Sequence, residues 1–162
     1  GVPLALILFA LILIKSSRRN IISFVKDIIA IFGVVILISY AIATQRALKN
    51  EFVTNSCDQE TVISIYNIIQ HQEAVSGIKV RNLSFSHDLY TSWNYPGVDY
   101  YERAILVPWA QKYMFQYYVG ADYELVETPS DVYDIYFKDK NWDNFSADQV
   151  VIIGDTAYIC NY

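Results

Sequence analysis

The sequence is poor in the residues that build metal and thiol sites. It has two cysteines, two histidines and one methionine among 162 residues. Cys57 and Cys160 lie far apart and form no CxxC pair, so no zinc site or other metal site is predicted. Two interpretations of the cysteines stay open. They could form a disulfide, which in the chain-entropy model would stabilise the fold by up to ~4.7 kcal/mol, or they could be two buried free thiols.

Acidic residues outnumber basic residues after residue 44. Residues 1–44 contain four Lys and Arg with a single acid, Asp27, whereas residues 45–162 contain eight Lys and Arg against sixteen Asp and Glu. A protein that binds nucleic acid needs clustered cationic side chains, so this class of partner is excluded. The change of sign along the chain indicates two different environments.

Catalytic motifs are also missing. The chain has no GxSxG, no glycine-rich phosphate loop, no HExxH and no Cys/His dyad, and it shows no cofactor motif. His71 is predicted on the polar face of a helix, and His87 is predicted as a turn residue rather than a base. A carboxylate pair such as Asp88 and Asp99 could act as acid and base only if the fold brought the two together. The catalytic residues are therefore unassigned.

Long apolar runs are present at the start of the chain. Residues 2–14 form a run of thirteen that is shorter than the ~20 residues of a membrane span. We predict that residues 1–14 end a truncated transmembrane helix, the alternative being a buried hairpin helix of a soluble protein. Residues 21–43 form a second span. The basic turn at 15–20 is predicted to be cytoplasmic, which places everything after residue 43 outside the cell membrane.

The remainder is predicted as a stalk at 44–56 followed by an extracytoplasmic α/β domain at 57–162. The domain is expected to contain a mixed sheet with a C-terminal hairpin, in the order α-β-α-β-α-ββ. The predicted elements begin with a helix capped by Ser56 or Asp58, with Val62, Ile65, Tyr66 and Ile69 on one face, and a strand at 78–85. A helix at 104–119 follows, whose start could instead be Val107 with Pro108 at the first helical position, and which stops at Gly120. The last elements are a strand at 123–126, a short helix or turn at 129–136, and strands at 150–153 and 157–160 around Gly154 and Asp155.

An aromatic loop, residues 87–101, follows the first predicted strand. Its candidate ligand-binding residues are Tyr90, Trp93, Tyr95, Asp99, Tyr100 and Tyr101. Aromatic faces stack on the C–H faces of sugars, and the nearby polar side chains Asp88, Asn94, Asp99 and Glu102 could bind hydroxyls. Two alternatives remain open: the loop could cover the core of a small domain, or it could lie at the membrane interface.

Four segments resemble the C-terminal part of multi-spanning bacterial membrane glucosyltransferases of the O-antigen-modifying, GT-C-like type. They are a last span running into a helix at 44–73 (TQRALKNEFVTNSCDQETVISIYNIIQHQE), a strand at 78–85 (IKVRNLSF), a helix ending in glycine at 107–120 (VPWAQKYMFQYYVG), and a terminal hairpin at 150–162 (VVIIGDTAYICNY). The aromatic loop at 87–101 departs from that pattern.

The resemblance implies an integral protein of the bacterial inner membrane that moves a sugar from a polyprenyl-phosphate donor to a cell-surface glycan. Catalytic carboxylates would lie upstream of these residues, so this part would supply the last spans and an accessory outer domain. The implied partners are the lipid bilayer and a glycan or lipid-linked sugar. Two other functions are kept open: a non-enzymatic, membrane-anchored module that binds a glycan or a protein, and the end of a transporter or flippase.

Overall fold

The computed structural model describes residues 21–99 and 101–162. The predicted helix end at 1–14, the predicted cytoplasmic turn at 15–20 and the candidate residue Tyr100 lie outside the described residues. The elements are α1 (Ile21–Ser76), β1 (Asn82–His87), a 3₁₀ turn (Ala104–Leu106), α2 (Pro108–Val119), β2 (Glu124–Leu125), α3 (Ser130–Tyr136), a second 3₁₀ turn (Ala147–Gln149), β3 (Val150–Ile153) and β4 (Thr156–Asn161).

Helix α1 runs without a break through the predicted stalk. The chain divides into two compact units at residues 49 and 50, and α1 contributes to both. The predicted helix start at Ser56 or Asp58 is therefore wrong. Residues 44–56 contain neither proline nor glycine and are rich in Ala, Leu, Lys, Arg, Gln and Glu, which favour helix. The Asp58 side chain, predicted as a cap, makes its hydrogen bonds outside the helix.

The first part of α1 is strongly apolar. Among the described residues, α1 is the one helix long and apolar enough to cross a membrane. Its large apolar side chains are exposed, for example Ile29 at 65%, Phe32 at 62% and Leu37 at 69%. Burying such side chains in hydrocarbon is favourable, so this part of α1 could span a bilayer, in agreement with the predicted span at 21–43.

The sheet is mixed, as predicted. Its strand order is β2-β1-β4-β3, in which β1 is parallel to both neighbours and β3 is antiparallel to β4. The terminal hairpin forms where it was predicted. In the pairing of β1 with β4, His87 lies opposite Asn161, so both strands end at the same edge of the sheet.

The hydrophobic core of residues 50–162 lies between α1, α2 and the sheet. Val62, Ile65 and Ile69 of α1 are fully buried, which confirms the predicted apolar face. They belong to the same cluster as Leu83 of β1 and Phe115 of α2. An acidic domain of this size thus has a continuous core of its own.

Strand β1 begins four residues later than predicted. The N–H groups before it bond to α1 and to the turn between β3 and β4, since Val80 N donates to a Glu73 carboxylate oxygen at 2.7 Å and Arg81 N donates to Asp155 O at 2.8 Å. Ile78 is half exposed and makes no part of the sheet. The predicted strand at 78–85 was therefore correct only in its second half.

Helix α2 begins and ends at the two residues that its sequence predicts. Pro108 occupies the first turn, where a missing N–H removes no helical hydrogen bond. Gly120 ends the helix in the left-handed conformation with φ 67°, and its N–H and that of Ala121 bond to the carbonyls of Gln116 and Phe115. This geometry is a glycine C-cap.

Replacing Gly120 by alanine is expected to lower the free energy of unfolding by about 1 kcal/mol, because a Cβ is disfavoured at positive φ. Nothing lies within 4 Å of the added Cβ, so backbone strain is the whole effect. Gly120→Asn should lose less, since asparagine tolerates this conformation. Urea unfolding of the detergent-solubilised chain, followed by the fluorescence of its three tryptophans, measures both variants. Equal or greater stability of Gly120→Ala would contradict the assignment.

Candidate ligand-binding site

The aromatic loop begins where β1 ends. His87, predicted to open the loop, is the last residue of β1, and Asp88 N donates to the main-chain oxygen of Asn161 at 3.0 Å. The loop and the end of the chain are therefore neighbours. This follows from the parallel pairing of β1 and β4, since parallel strands end at the same edge.

Asp88 holds the start of the loop in place. It is buried, and one carboxylate oxygen accepts hydrogen bonds from Tyr90 N and from the Thr91 hydroxyl, both at 2.9 Å. Its other oxygen accepts from Trp142 N at 3.2 Å. Asp88 thus serves as a structural acceptor that joins the loop to residues near 142, and not as the ligand-binding carboxylate considered from the sequence.

A tight turn and one main-chain bond shape the rest of the loop. Val98 N donates to Tyr95 O at 3.0 Å around Pro96 and Gly97, and Gly97 has φ 80°. Proline followed by glycine at positive φ is typical of a type II turn. Arg103 N donates to the main-chain oxygen of Trp93 at 2.8 Å and so closes the loop.

Four side chains, which we call the Arg103 cluster, meet below this loop: Asp58, Tyr95, Arg103 and Tyr162. The guanidinium carbon of Arg103 lies 4.3 Å from the ring centre of Tyr95 and 4.2 Å from that of Tyr162. Its Nη1 donates to the main-chain oxygen of Tyr162. Asp58 accepts from the Tyr95 hydroxyl at 2.8 Å and from Ala104 N at 2.7 Å. The cluster therefore connects α1, the aromatic loop and the residue after β4.

Burial dominates the electrostatics of the cluster. Asp58 is 1% exposed, and its removal from water raises the pKa of its carboxyl above 3.8, although the Tyr95 hydroxyl, Ala104 N–H and the charge of Arg103 act in the opposite direction. Burial, followed by the nearby Asp58 charge, raises the pKa of Tyr95, so its phenol is neutral and donates a hydrogen bond to Asp58.

A cleft of about 390 Å³ opens beside the Arg103 cluster, and we call it the aromatic cleft. Its lining combines four aromatic rings with amides, a hydroxyl and one carboxylate. The lining residues are Tyr90, Ser92, Asn94, Tyr95, Pro96, Val98, Arg103, Asn141, Trp142, Asp143 and Tyr162. A second cleft of about 470 Å³ shares Tyr95, Pro96 and Tyr162 with it and includes Glu60 and Asn144. Both volumes are in the usual range of small-molecule sites.

The structure separates the loop residues that were predicted to bind a ligand. Tyr90 and Tyr95 line the aromatic cleft, and Tyr95 is only 5% exposed. Trp93, Asp99 and Tyr101 are absent from the described lining, and Trp93 is exposed. The loop therefore divides its aromatic side chains between a buried position that supports the fold and positions open to solvent.

Sequence reasoning missed most of the cleft. Asn141, Trp142, Asp143 and Tyr162 come from distant segments, and Arg103 gave no motif. A usable signal existed for Asp58, because its spacing from Val62, Ile65 and Ile69 places an acid on the apolar face of α1. A charged residue on a buried face needs a buried partner, and this would have pointed to Arg103, a basic residue just after the aromatic loop.

Neither cysteine is bridged. Cys57 and Cys160 are both free thiols, the second fully buried on β4, where burial raises its pKa to about 11. Within residues 21–99 and 101–162 there is no group of three or more His, Cys, Asp and Glu side chains that could hold a metal ion.

Maleimide labelling checks the thiols. Protein purified without reductant and then unfolded should take two labels per chain. In the folded protein Cys160 should stay unlabelled because it is 1% exposed and its thiolate is disfavoured. Finding no label after unfolding, and two after reduction, would show the disulfide instead.

Replacing Asp58 by alanine should lower the free energy of unfolding by about 3 kcal/mol, because it leaves the Tyr95 hydroxyl, Ala104 N–H and the Arg103 charge without their buried partner. The matched control is Glu60→Ala, an exposed acid two residues further along α1 and on a different face of the helix, which should change stability by less than about 0.5 kcal/mol. Tryptophan-monitored unfolding compares the two. Similar losses in both variants would show that the cluster does not hold the fold.

Comparison of the chain with protein-family models, with curated proteins and with solved structures gives no match.

Proposed function

We propose that residues 50–162 form a membrane-tethered domain that binds a saccharide in the aromatic cleft. The observation that carries this proposal is the lining of the cleft, which places the rings of Tyr90, Tyr95, Trp142 and Tyr162 beside the amides of Asn94 and Asn141.

The lining suits a sugar better than a purely apolar ligand. Aromatic rings offer flat faces to the C–H groups of a pyranose, and asparagine amides both donate and accept hydrogen bonds with hydroxyls. Ser92 adds a hydroxyl at the same wall. The volume of about 390 Å³ is appropriate for one or two sugar rings.

The cleft also supports binding over catalysis. Hydrolysis or transfer at a glycosidic bond commonly uses two carboxylates on either side of the bond. In its described lining the aromatic cleft has one carboxylate, Asp143, while Asp88 and Asp58 hold protein N–H and O–H groups. We therefore assign no catalytic residue to this domain.

The apolar helix and the basic turn before it support a location for this domain. The apolar part of α1 could cross a membrane, and the basic residues at 15–20 favour a cytoplasmic position for that turn. Residues 50–162 would then lie outside the cell membrane, where glycans and lipid-linked sugars are found.

We further propose that this domain is the accessory outer part of a bacterial inner-membrane glucosyltransferase that uses a polyprenyl-phosphate sugar donor. This assignment rests on the four segments that resemble that family. The coding sequence upstream of residue 1 tests it. Several more spans with an acidic residue in the first outer loop would support the transferase, whereas one or two spans in total would leave only the binding module.

Saccharide binding is tested with Tyr90→Ala against Tyr113→Ala. Both tyrosines are more than 60% exposed, but only Tyr90 lines the cleft, so both variants should fold. With a panel of neutral and acidic oligosaccharides, loss of ring stacking should weaken binding about three- to tenfold in Tyr90→Ala and leave Tyr113→Ala unchanged.

The measurement is the tryptophan fluorescence of the full chain in detergent, in which Trp142 reports on the cleft. Lack of binding to every oligosaccharide in the panel, or the same affinity for both variants, would contradict the proposed function.

A further inference from the structure

Arg103 is the largest of the fully buried side chains that the structure describes, and only part of its hydrogen-bonding capacity is used. Its side chain is 2% exposed, and Nη1 donates to the main-chain oxygen of Tyr162. Its Nε and Nη2 atoms are buried and have no hydrogen-bond partner among the described residues. Buried polar groups of folded proteins nearly always have partners, so these two atoms need an explanation.

Arg103 makes no direct ion pair with the side chains that the structure describes. A guanidinium stays protonated in proteins, and burying it without a partner is costly. Within the described part of the chain, the ion pairs Lys112–Asp122 and Lys138–Asp134 leave it out. Asp58 acts on Arg103 through space, but each of its oxygens already accepts a hydrogen bond from Tyr95 or Ala104. Asp58 therefore offsets the charge of Arg103 without accepting a hydrogen bond from its Nε or Nη2.

The unpaired atoms are held in a defined position. The rings of Tyr95 and Tyr162 each lie within 4.3 Å of the guanidinium carbon, and both rings line the aromatic cleft together with Arg103. Nε and Nη2 form one edge of the planar group, and two parallel N–H groups on such an edge match the two oxygens of a carboxylate or a phosphate.

We propose that Arg103 binds an oxyanion of the ligand, so that the aromatic cleft takes an acidic saccharide. The inference rests on the proposed function and deepens it, because it names the class of sugar. Both a carboxylate, as in a uronic acid, and a phosphate ester offer the required oxygens. A neutral sugar in the same position would leave the buried N–H groups unpaired, which makes such a site discriminate strongly.

Two matched pairs of probes test the inference on the full chain in detergent. The first pair is trigalacturonate and its methyl ester, and the second is phosphopentamannose and pentamannose. In at least one pair the acidic member should bind tenfold or more tightly than its neutral partner, the expected gain for hydrogen bonds to a charged group. The pair that discriminates identifies the oxyanion as carboxylate or phosphate.

Two variants locate the effect. Arg103→Lys keeps the charge but loses the planar edge, so the ratio of the affinities for the acidic and the neutral probe should fall about tenfold. Asp143→Asn removes the one carboxylate in the described cleft lining. Because Asp143 is exposed, this variant should fold normally, and the ratio of its affinities for the acidic and the neutral probe should rise about two- to fivefold.

The outcomes separate the two proposals. Equal affinities within both pairs, with binding still present, would overturn the oxyanion and leave saccharide binding intact. If the protein prefers acidic probes but Asp143→Asn does not increase this preference, the oxyanion does not bind in this cleft. This test is independent of Arg103→Lys, so it can be read even if that variant fails to fold. Binding of none of the four probes would overturn both proposals.

Discussion

The contact of the Arg103 guanidinium with the rings of Tyr95 and Tyr162 is the interaction on which the organisation of residues 50–162 depends. It connects the aromatic loop with the residue after the last strand, and the bond from Tyr95 to Asp58 extends the connection to α1. Cation–π contacts are strengthened when water is excluded, as it is around a side chain that is 2% exposed. Three segments far apart in sequence thus share one buried polar cluster above an apolar core.

The Arg103 cluster contributes less to stability than an apolar cluster of the same size would, and the same feature suits ligand binding. Hydrophobic residues of similar volume are commonly as stabilising as a buried charge, so the Arg103 cluster is weak support for stability alone. Its unpaired Nε and Nη2 make it less stabilising still. Such a feature is reasonable where a ligand completes the set of hydrogen bonds, and the neighbouring aromatic cleft provides the space for one. The proposed acidic saccharide would therefore supply the hydrogen-bond acceptors that Nε and Nη2 of Arg103 lack.

Elements with local start and stop residues were predicted well. Pro108 and Gly120 bound α2, and the turn at Gly154 and Asp155 separates β3 from β4, because each residue acts through its own backbone conformation. The break predicted near Ser56 was wrong because a cap residue in the sequence can bond elsewhere, as Asp58 does. The early start of β1 was wrong because Glu73 and Asp155 take the N–H groups of residues 80–82. Of the candidate site, the aromatic loop was found, but only Tyr90 and Tyr95 of its predicted residues line the cleft.

The sequence by itself determined the features that depend on neighbours along the chain: the apolar helix that could cross a membrane, the acidic α/β domain, the ends of α2 and the terminal hairpin. The tertiary structure alone decided the site. Pairing of His87 with Asn161 brings the loop after β1 beside Tyr162, and this contact crosses more than seventy residues. Its register is set by side-chain packing on both faces of the sheet, which no local pattern contains. For the same reason Arg103, unremarkable in the sequence, becomes the buried charge at the wall of the cleft.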